Sequence, residues 1–435
     1  MRGALCALLL CALSLPSHAQ DVDRLRIHGS NTLGARLVPA LAASWLRSMG
    51  YSHIQRRQGA QVQAISGVRD GVPLVVEIQG NGSGAGMRDL IAGDAELTMM
   101  ARAPSARERD AAWQLGSLDS ADQSFVLALD GIAVVTRDDN PVRRLDLRQL
   151  RALLAGHGDW STVGGPRLPV HAYVPARGSG SRDFLDERVL GADAVRLPSA
   201  TEADARTTLA AIAADPGALG VVNLRTPLPK GVHALAIADG GDAVPPDRLH
   251  VMSEDYPLTR RLALYGGQMM TALGRSFALY TMTPEGQRVV ASTHQIALDL
   301  QPGARPAPAA WRPYAELVAN AERLPLSLRF NYRNPFSLFD SRSERDLDRL
   351  AMFMREPRNR GRSALVVAFS AAEPGMSPLM STIASNDRAD IVAAELQRLG
   401  IRVGRARGLG AAEPLASPAA PDARFRNERV EVWLQ

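Results

Sequence analysis

The sequence predicts two folded parts of different class, a large α/β part over residues 20–300 and a small α+β part over residues 324–435. Three observations carry the prediction. Short β-like runs alternate with apolar stripes at helical spacing along the first part. The stretch Gln301-Pro302-Gly303-Ala304-Arg305-Pro306-Ala307-Pro308 then interrupts every periodicity, because proline lacks an N–H donor and resists both helix and strand. Residues 301–323 therefore read as a linker. Beyond it the pattern β-α-β-α-β occurs once, a rhythm suited to a small domain with its own core.

The chain opens with a targeting signal. Met1-Arg2 is a short basic start, residues 4–15 form an apolar run, and Ser17-His18-Ala19 is a small-residue cleavage signature. Residues 1–19 read as a secretory signal peptide, too short to span a bilayer. No later segment is long and apolar enough to do so. Cys6 and Cys11 both lie inside the signal, and Leu8-Leu9-Leu10-Cys11 lacks the small residue a lipoprotein signal places before its cysteine. The secreted chain is thus expected to contain no disulfide and no thiolate metal site.

In the first part, Leu25-Arg26-Ile27-His28 reads as a strand. Leu33, Leu37, Val38, Leu41 and Trp45 share one helical face, which Gly50 ends. Leu74-Val75-Val76-Glu77-Ile78 is a strand and Met87, Leu90 and Ile91 mark a short helix. A buried strand over residues 129–135 precedes a helix carrying Leu147, Leu150, Leu153 and Leu154. Residues 170–174 and Gly220-Val221-Val222-Asn223 complete the strands. In the second part, Leu326, Leu328 and Phe330 alternate as a strand, and Leu347, Leu350, Ala351 and Met354 form a helix stripe. Residues 365–369 are a strand. Ala389, Val392, Ala393 and Leu396 form a second stripe that Gly400 stops, and Val430, Val432 and Leu434 alternate as the last strand.

Three Gly/Ser turns point to a function: Gly29-Ser30-Asn31-Thr32, Gly80-Asn81-Gly82-Ser83-Gly84 and Gly178-Ser179-Gly180-Ser181. Each follows a strand and leads into a helical pattern. At such a junction free backbone N–H groups and the positive end of the helix dipole face one spot, and short hydroxyls add donors. An anion is held there without a lysine. Three such turns in one domain point to a dehydrated, tetrahedral oxyanion.

Composition narrows the alternatives. The formal net charge is +5 and Lys230 is the only lysine, so the positive charge is arginine. A basic surface favours anionic ligands or an anionic cell wall. There is no basic run interleaved with aromatics, so nucleic-acid binding is not expected. A nucleophile elbow needs Gly-x-Ser-x-Gly, which fails at Ser83 (flanked by Asn81 and Ala85) and at Ser179 (flanked by Arg177 and Ser181). No Gly-Lys-Ser/Thr exists for a P-loop, and no His-x-x-x-His for zinc. The expectation is a binding protein without cofactor, metal or catalytic residues. His28, beside the first turn, reads as a hydrogen-bonded strand histidine.

Residues 24–300 resemble the PstS-type phosphate-binding proteins of the periplasm. The resemblance rests on Ile27-His28-Gly29-Ser30-Asn31-Thr32-Leu33, Gly82-Ser83-Gly84-Ala85-Gly86-Met87 and Arg177-Gly178-Ser179-Gly180-Ser181-Arg182-Asp183-Phe184. It implies a type II-like periplasmic binding protein fold, two α/β lobes joined by crossing strands with phosphate gripped in the cleft. Carried over by motif, the ligands are Ser30, Thr32, Ser83, Ser179, Gly180 and Ser181. The family places a carboxylate or a Ser-Arg pair near residues 93–102. Here Ala101 stands at that place, followed by Arg102. Such a carboxylate favours a protonated phosphate, so its absence predicts weaker discrimination against sulfate. The family's arginine upstream of the third turn is also displaced, with Pro175 at its position. Arg177, Arg182 or Arg102 is expected to supply the cation instead.

Residues 324–435 resemble the OmpA-type C-terminal domain that binds peptidoglycan. The matches are Phe339-Asp340 before Leu347-Asp348-Arg349-Leu350-Ala351, Ser385-Asn386-Asp387-Arg388-Ala389, Gly408-Leu409-Gly410 before Glu413-Pro414, and Arg426-Asn427-Glu428-Arg429-Val430-Glu431-Val432. The resemblance implies that Arg388 clamps the diaminopimelate group of the stem peptide, with Asn427 and Arg429 in the same motif set. The family's aspartate is missing: Phe369-Ser370-Ala371-Ala372-Glu373 has alanine there, and Glu373 is the substitute at hand. Together the two resemblances imply a periplasmic phosphate (or similar oxyanion) binding protein, held at the cell wall and outer membrane, with an ABC permease as partner in transport. The alternative is a wall-associated sensor or interaction protein with a degenerate anion cleft.

Overall fold

The computed structural model describes residues 23–191, 197, 200–293, 295–301, 311–334, 336–420 and 422–435. Residues 1–19, read above as a signal peptide, and most of the proline-rich stretch lie outside these residues. The first part begins with β1 (Asp23–Gly29), β2 (Ser52–Gln58), β3 (Val62–Arg69), β4 (Val72–Gly80) and β5 (Leu97–Met100). It continues with β6 (Ser124–Arg137), β7 (Arg144–Asp146), β8 (His171–Val174), β9 (Thr201–Glu202), β10 (Ala218–Asn223), β11 (Val232–Ala234), β12 (Ala236–Ala238) and β13 (Thr259–Gly266). Eleven of these form one curled mixed sheet in the order β2-β3-β4-β1-β5-β13-β6-β10-β8-β9, with β11 on β6; β7 and β12 pair separately.

Strand β6 divides the sheet into two lobes. Its first half, from Ser124 to Gly131, pairs antiparallel with β13 in the first lobe. Its second half, from Ile132 on, pairs with β10 and β11 in the second lobe. All of its 14 residues except the last are buried, which is why it reads as a mostly apolar run, with Asp130 the one charge among the buried residues. β1 lies parallel between β4 and β5, so its C-terminal end opens beside theirs at the middle of the molecule.

The predicted helical faces are the core-facing ones. Leu33, Leu37, Val38, Leu41 and Trp45 are all buried, on a π turn (Leu33–Leu37) that runs into the helix Val38–Ser48. Trp45 meets Phe277 edge-on at 5.4 Å. The hairpin β2–β3 is not evident from the sequence. Ser52-His53-Ile54-Gln55-Arg56-Arg57-Gln58 is an exposed edge strand with no apolar alternation to reveal it.

The second part contains β14 (Glu322–Leu328), β15 (Ala364–Ala368), β16 (Val403–Gly408) and β17 (Val430–Leu434) in the order β14-β17-β15-β16. Helices Ser341–Arg355 and Pro378–Arg398 carry the predicted stripes. Two expectations need correction. Val403-Gly404-Arg405-Ala406-Arg407-Gly408 is a fourth strand, an arginine-bearing edge paired in parallel with β15. The segment 301–323 is not all linker. It holds a helix, Arg312–Val318, and the first residues of β14. Tyr314 of this helix is buried edge-on against Phe369 at 5.4 Å and Trp433 at 6.1 Å.

The two parts are joined by ion pairs removed from solvent. Arg323 reaches Asp255 at 2.7 Å, Arg342 reaches Glu254 at 3.1 Å, Arg261 reaches Asp340 at 2.6 Å, and Arg426 pairs with Asp239. Breaking one such pair leaves a buried charge and costs about 3–5 kcal/mol.

Candidate functional site

The three Gly/Ser turns meet. At the end of β1, Ser30 is anchored by its N–H on the Met99 carbonyl at 2.7 Å, and its own carbonyl accepts from Gly34. The amides of Asn31, Thr32 and Leu33 have no partner among the described residues, as expected at the start of a helix. At the end of β4, the N–H groups of Asn81 and Gly82 both bond to the Gly29 carbonyl, tying the second turn to the first. The helix Ser83–Ala92 starts there without a side-chain cap. Its approach depends on Gly86: a Cβ there would lie 2.4 Å from the Cα of Gly29. The third turn leads from β8 into the helix Gly180–Leu185 and a π turn to Leu190.

Between these turns lies a cavity of about 190 Å³. The first lobe lines it with Ser30, Asn31, Thr32, Gly82, Ser83, Gly84, Ala101 and Arg102. The second lobe adds Gly180, Asp183, Phe184 and Glu187, and β13 adds Arg260. The volume is below that of sites for drug-sized ligands. The two lobes touch across it, since a Cβ on Gly180 would lie 1.9 Å from the Thr32 Oγ1. Such a cavity has neutral donors on several sides and room for a small ion.

The two guanidiniums at the cavity are already paired. Arg102 donates to both carboxylate oxygens of Glu108 at 2.7 Å. The Glu108 hydrogen bond holds the Arg102 pKa above its ordinary value. Burial alone would lift the Glu108 carboxyl, but Arg102 and the Ser105 amide outweigh it and hold it at about 2. Arg260 pairs with the buried Asp130, at 3.0 Å through Nε, and donates Nη1 to the Gly180 carbonyl at 2.7 Å. Its guanidinium lies over the Phe184 ring at 5.1 Å from the centroid.

Five of the nine expected anion-site residues line the cavity: Ser30, Thr32, Ser83, Gly180 and Arg102. The other four do not. The Ser179 Oγ caps its helix, accepting from the Arg182 N–H at 3.2 Å and donating to the Ala176 carbonyl at 2.7 Å. Ser181 is not among the lining residues. Arg182 is turned into the second lobe, bound to Asp186 at 2.7 Å and Glu202 at 3.4 Å. Arg177 is solvent-exposed on Glu202 at 2.9 Å. Arg260, Asp183 and Glu187 also line the cavity and were not expected from the sequence. Arg260 carried a signal, because a charge inside the run Leu258-Thr259-Arg260-Arg261-Leu262 needs a buried partner. His28 bonds Asp89 at 2.8 Å and does not line the cavity.

In the second part, Arg388 donates to Glu428 at 2.8 Å and to the Tyr332 hydroxyl at 3.1 Å, and its Nη1 is buried without a partner among the described residues. Glu373 lies on the surface, 3.6 Å from Arg424. Asn427 and Arg429 are corrected as wall-contacting residues, because both are buried. The Asn427 Oδ1 accepts from the Leu415 and Ala416 amides, and Arg429 is held by Glu431 at 3.1 Å over the Phe369 ring.

A family model described as a PBP superfamily domain matches residues 56–285, more than half of the chain. The chain belongs to the PBP superfamily. This is a family of solute-binding proteins, not of enzymes. Protein SphX of Synechococcus elongatus is 24% identical to this chain over 220 residues, 48% of this chain. The match spans 64% of SphX, less than two thirds of its length. The crystal structure of an ABC-type phosphate transport receptor from Vibrio cholerae is matched over 63% of this chain and 99% of that one, at TM-score 0.51 and 18% identity. That likeness shows the two-lobed PBP fold. A putative phosphate ABC transporter substrate-binding protein from Clostridium perfringens, solved with bound phosphate, matches at TM-score 0.43 and 24% identity over 63% of this chain and 99% of its own.

Proposed function

We propose that this protein binds phosphate, or a similar tetrahedral oxyanion, in the cavity between its lobes, as a periplasmic solute receptor of an ABC transport system. One observation carries the reading: hydroxyls of Ser30, Thr32 and Ser83 and the free amides of three helix starts converge on a single small cavity. Neutral donors suit a buried oxyanion because each unmet oxygen costs about 1–3 kcal/mol. The names of the Vibrio cholerae and Clostridium perfringens proteins support phosphate as the ligand. Calorimetric titration of the chain without residues 1–19 tests this. Phosphate binding is expected, and Thr32→Ala or Ser83→Ala should weaken it by roughly tenfold to a hundredfold. No heat with phosphate, arsenate or sulfate would remove the reading.

We further propose that residues 324–435 hold the protein at the peptidoglycan through Arg388, whose guanidinium would have to turn from Glu428 and the Tyr332 hydroxyl to reach a stem-peptide carboxylate. Glu373 would have to leave Arg424 to take the diaminopimelate amine. The wild-type chain is expected to sediment with insoluble peptidoglycan and Arg388→Ala to stay in solution. Equal retention of both proteins would exclude Arg388. Retention of neither would favour a wall-independent sensor or interaction role.

A further inference from the structure

We propose that the Asp89 carboxylate, which lies outside the cavity, is a positioning group of the anion site: one of its oxygens fixes the first two Gly/Ser turns to each other and so sets where their donors point. This rests on the anion-binding reading above. The Asp89 Oδ2 accepts from the Asn81 Nδ2 at 2.8 Å and from the His28 Nδ1 at 2.8 Å. The imidazole donates through Nδ1 because a carboxylate only accepts. His28 directly precedes Gly29 and Ser30 of the first turn, and Asn81 directly precedes Gly82 and Ser83 of the second. Asp89 itself stands on the helix Ser83–Ala92, which the second turn opens. One oxygen thus gathers the end of β1, the turn after β4 and that helix. Burial would raise the Asp89 carboxyl, but the hydrogen bonds from Asn81 and His28 outweigh it and hold it below its ordinary value. It is an ionised acceptor at neutral pH.

The second turn needs such a clamp because its helix lacks the usual one. Ser105, Asp146, Ser179, Asp204 and Asp247 each cap a helix start with a side-chain oxygen. The helix Ser83–Ala92 has Gly82 at that place, with φ 94°, and no side-chain cap. A capping oxygen would occupy one of the N–H groups. Without it the amides of Ser83, Gly84 and Ala85 have no partner among the described residues and face an anion unspent. The Ser83 Oγ accepts from the Ala101 amide at 3.2 Å, which leaves its O–H to donate as well. An uncapped turn that contains glycine is conformationally free unless something else holds it. The Asn81 side chain does so, and neither it nor His28 nor Asp89 lines the cavity. The Asn81 Oδ1 is buried with no partner among the described residues, so the bond to Asp89 is what this side chain contributes. A turn ordered before the ligand arrives loses less freedom on binding, which raises affinity.

The test is calorimetric titration with sodium phosphate of the chain without residues 1–19 and of its Asp89→Ala, Asp89→Asn and Asn81→Ala variants, with thermal denaturation of each. Asp89→Ala and Asn81→Ala are each expected to weaken phosphate binding about tenfold, and the two combined little further, because both break the same bond. On charge alone, removing a carboxylate near an anion site would strengthen binding, so the direction of the change separates positioning from repulsion. Asp89→Asn keeps an oxygen for both donors and is expected to stay within about twofold of the unsubstituted protein. Should Asp89→Ala fail to fold, Asn81→Ala, which leaves the helix intact, decides. Unchanged or tighter binding by the alanine variants, or an Asp89→Asn protein as weak as Asp89→Ala, would overturn the positioning role and leave the anion site standing. Binding of no phosphate by the unsubstituted protein would overturn both.

Discussion

Gly180 shows how much of this site depends on single positions. It comes from the second lobe, yet a methyl group there would overlap the Thr32 hydroxyl of the first, 1.9 Å away. Its carbonyl also receives Arg260 Nη1, so the turn is fixed from both sides. Gly180→Ala is expected to keep both lobes open and to abolish phosphate binding while leaving the melting temperature almost unchanged. Calorimetry and thermal denaturation on one sample check both halves of that expectation. The arginines were harder to assign from sequence. Arg177 and Arg182 lie closest to the third turn in the chain, but both are drawn to Glu202. Arg260 is remote in sequence and close in space, because its partner Asp130 lies across a strand pairing that no local pattern reveals.

At the scale of elements, the legible strands were the buried ones. Residues 365–369 and, apart from Asp130, residues 129–135 are apolar because both faces of each strand are covered, and their composition reports it. The strands at edges, β2 and β16, carry arginine and glycine where alternation would have marked them. The helix Arg312–Val318 was hidden by the prolines around it, although Tyr314 inserts between Phe369 and Trp433 and donates to Glu431. Tyr314→Ala is expected to destabilise the second part by about 3–5 kcal/mol, the usual cost of removing a buried aromatic ring. Urea denaturation measures it. A change below about 0.5 kcal/mol, as at an ordinary surface position, would return the helix to the status of a linker.

The whole molecule is held by charges that the sequence shows only as an arginine-rich composition. Glu254 and Asp255 are buried where the two parts meet. Burial alone would raise both carboxyls, but Arg261 and Arg342 around Glu254, and Arg323 beside Asp255, hold them below the ordinary carboxylate range. A carboxyl whose folded pKa lies below its unfolded one adds stability above the unfolded value and loses it as pH falls toward the folded one. The contact between the parts is therefore expected to persist through neutral and mildly acidic pH and to weaken below about pH 4, where ordinary carboxyls protonate. Acid titration followed by tryptophan fluorescence checks this, and a transition that begins above about pH 5 would contradict it.

The second part also touches both ends of the crossing strands. Asn331 donates to the Asp119 carbonyl at 3.0 Å and Ser341 meets Ser124 at 3.0 Å, where β6 begins in the first lobe. Arg323 and Arg426 meet Asp255 and Asp239 on the second-lobe side. Parting of the lobes about β6 would strain these contacts first. In the proposed function that step is common to ligand entry and ligand escape, so the second part would slow both exchanges.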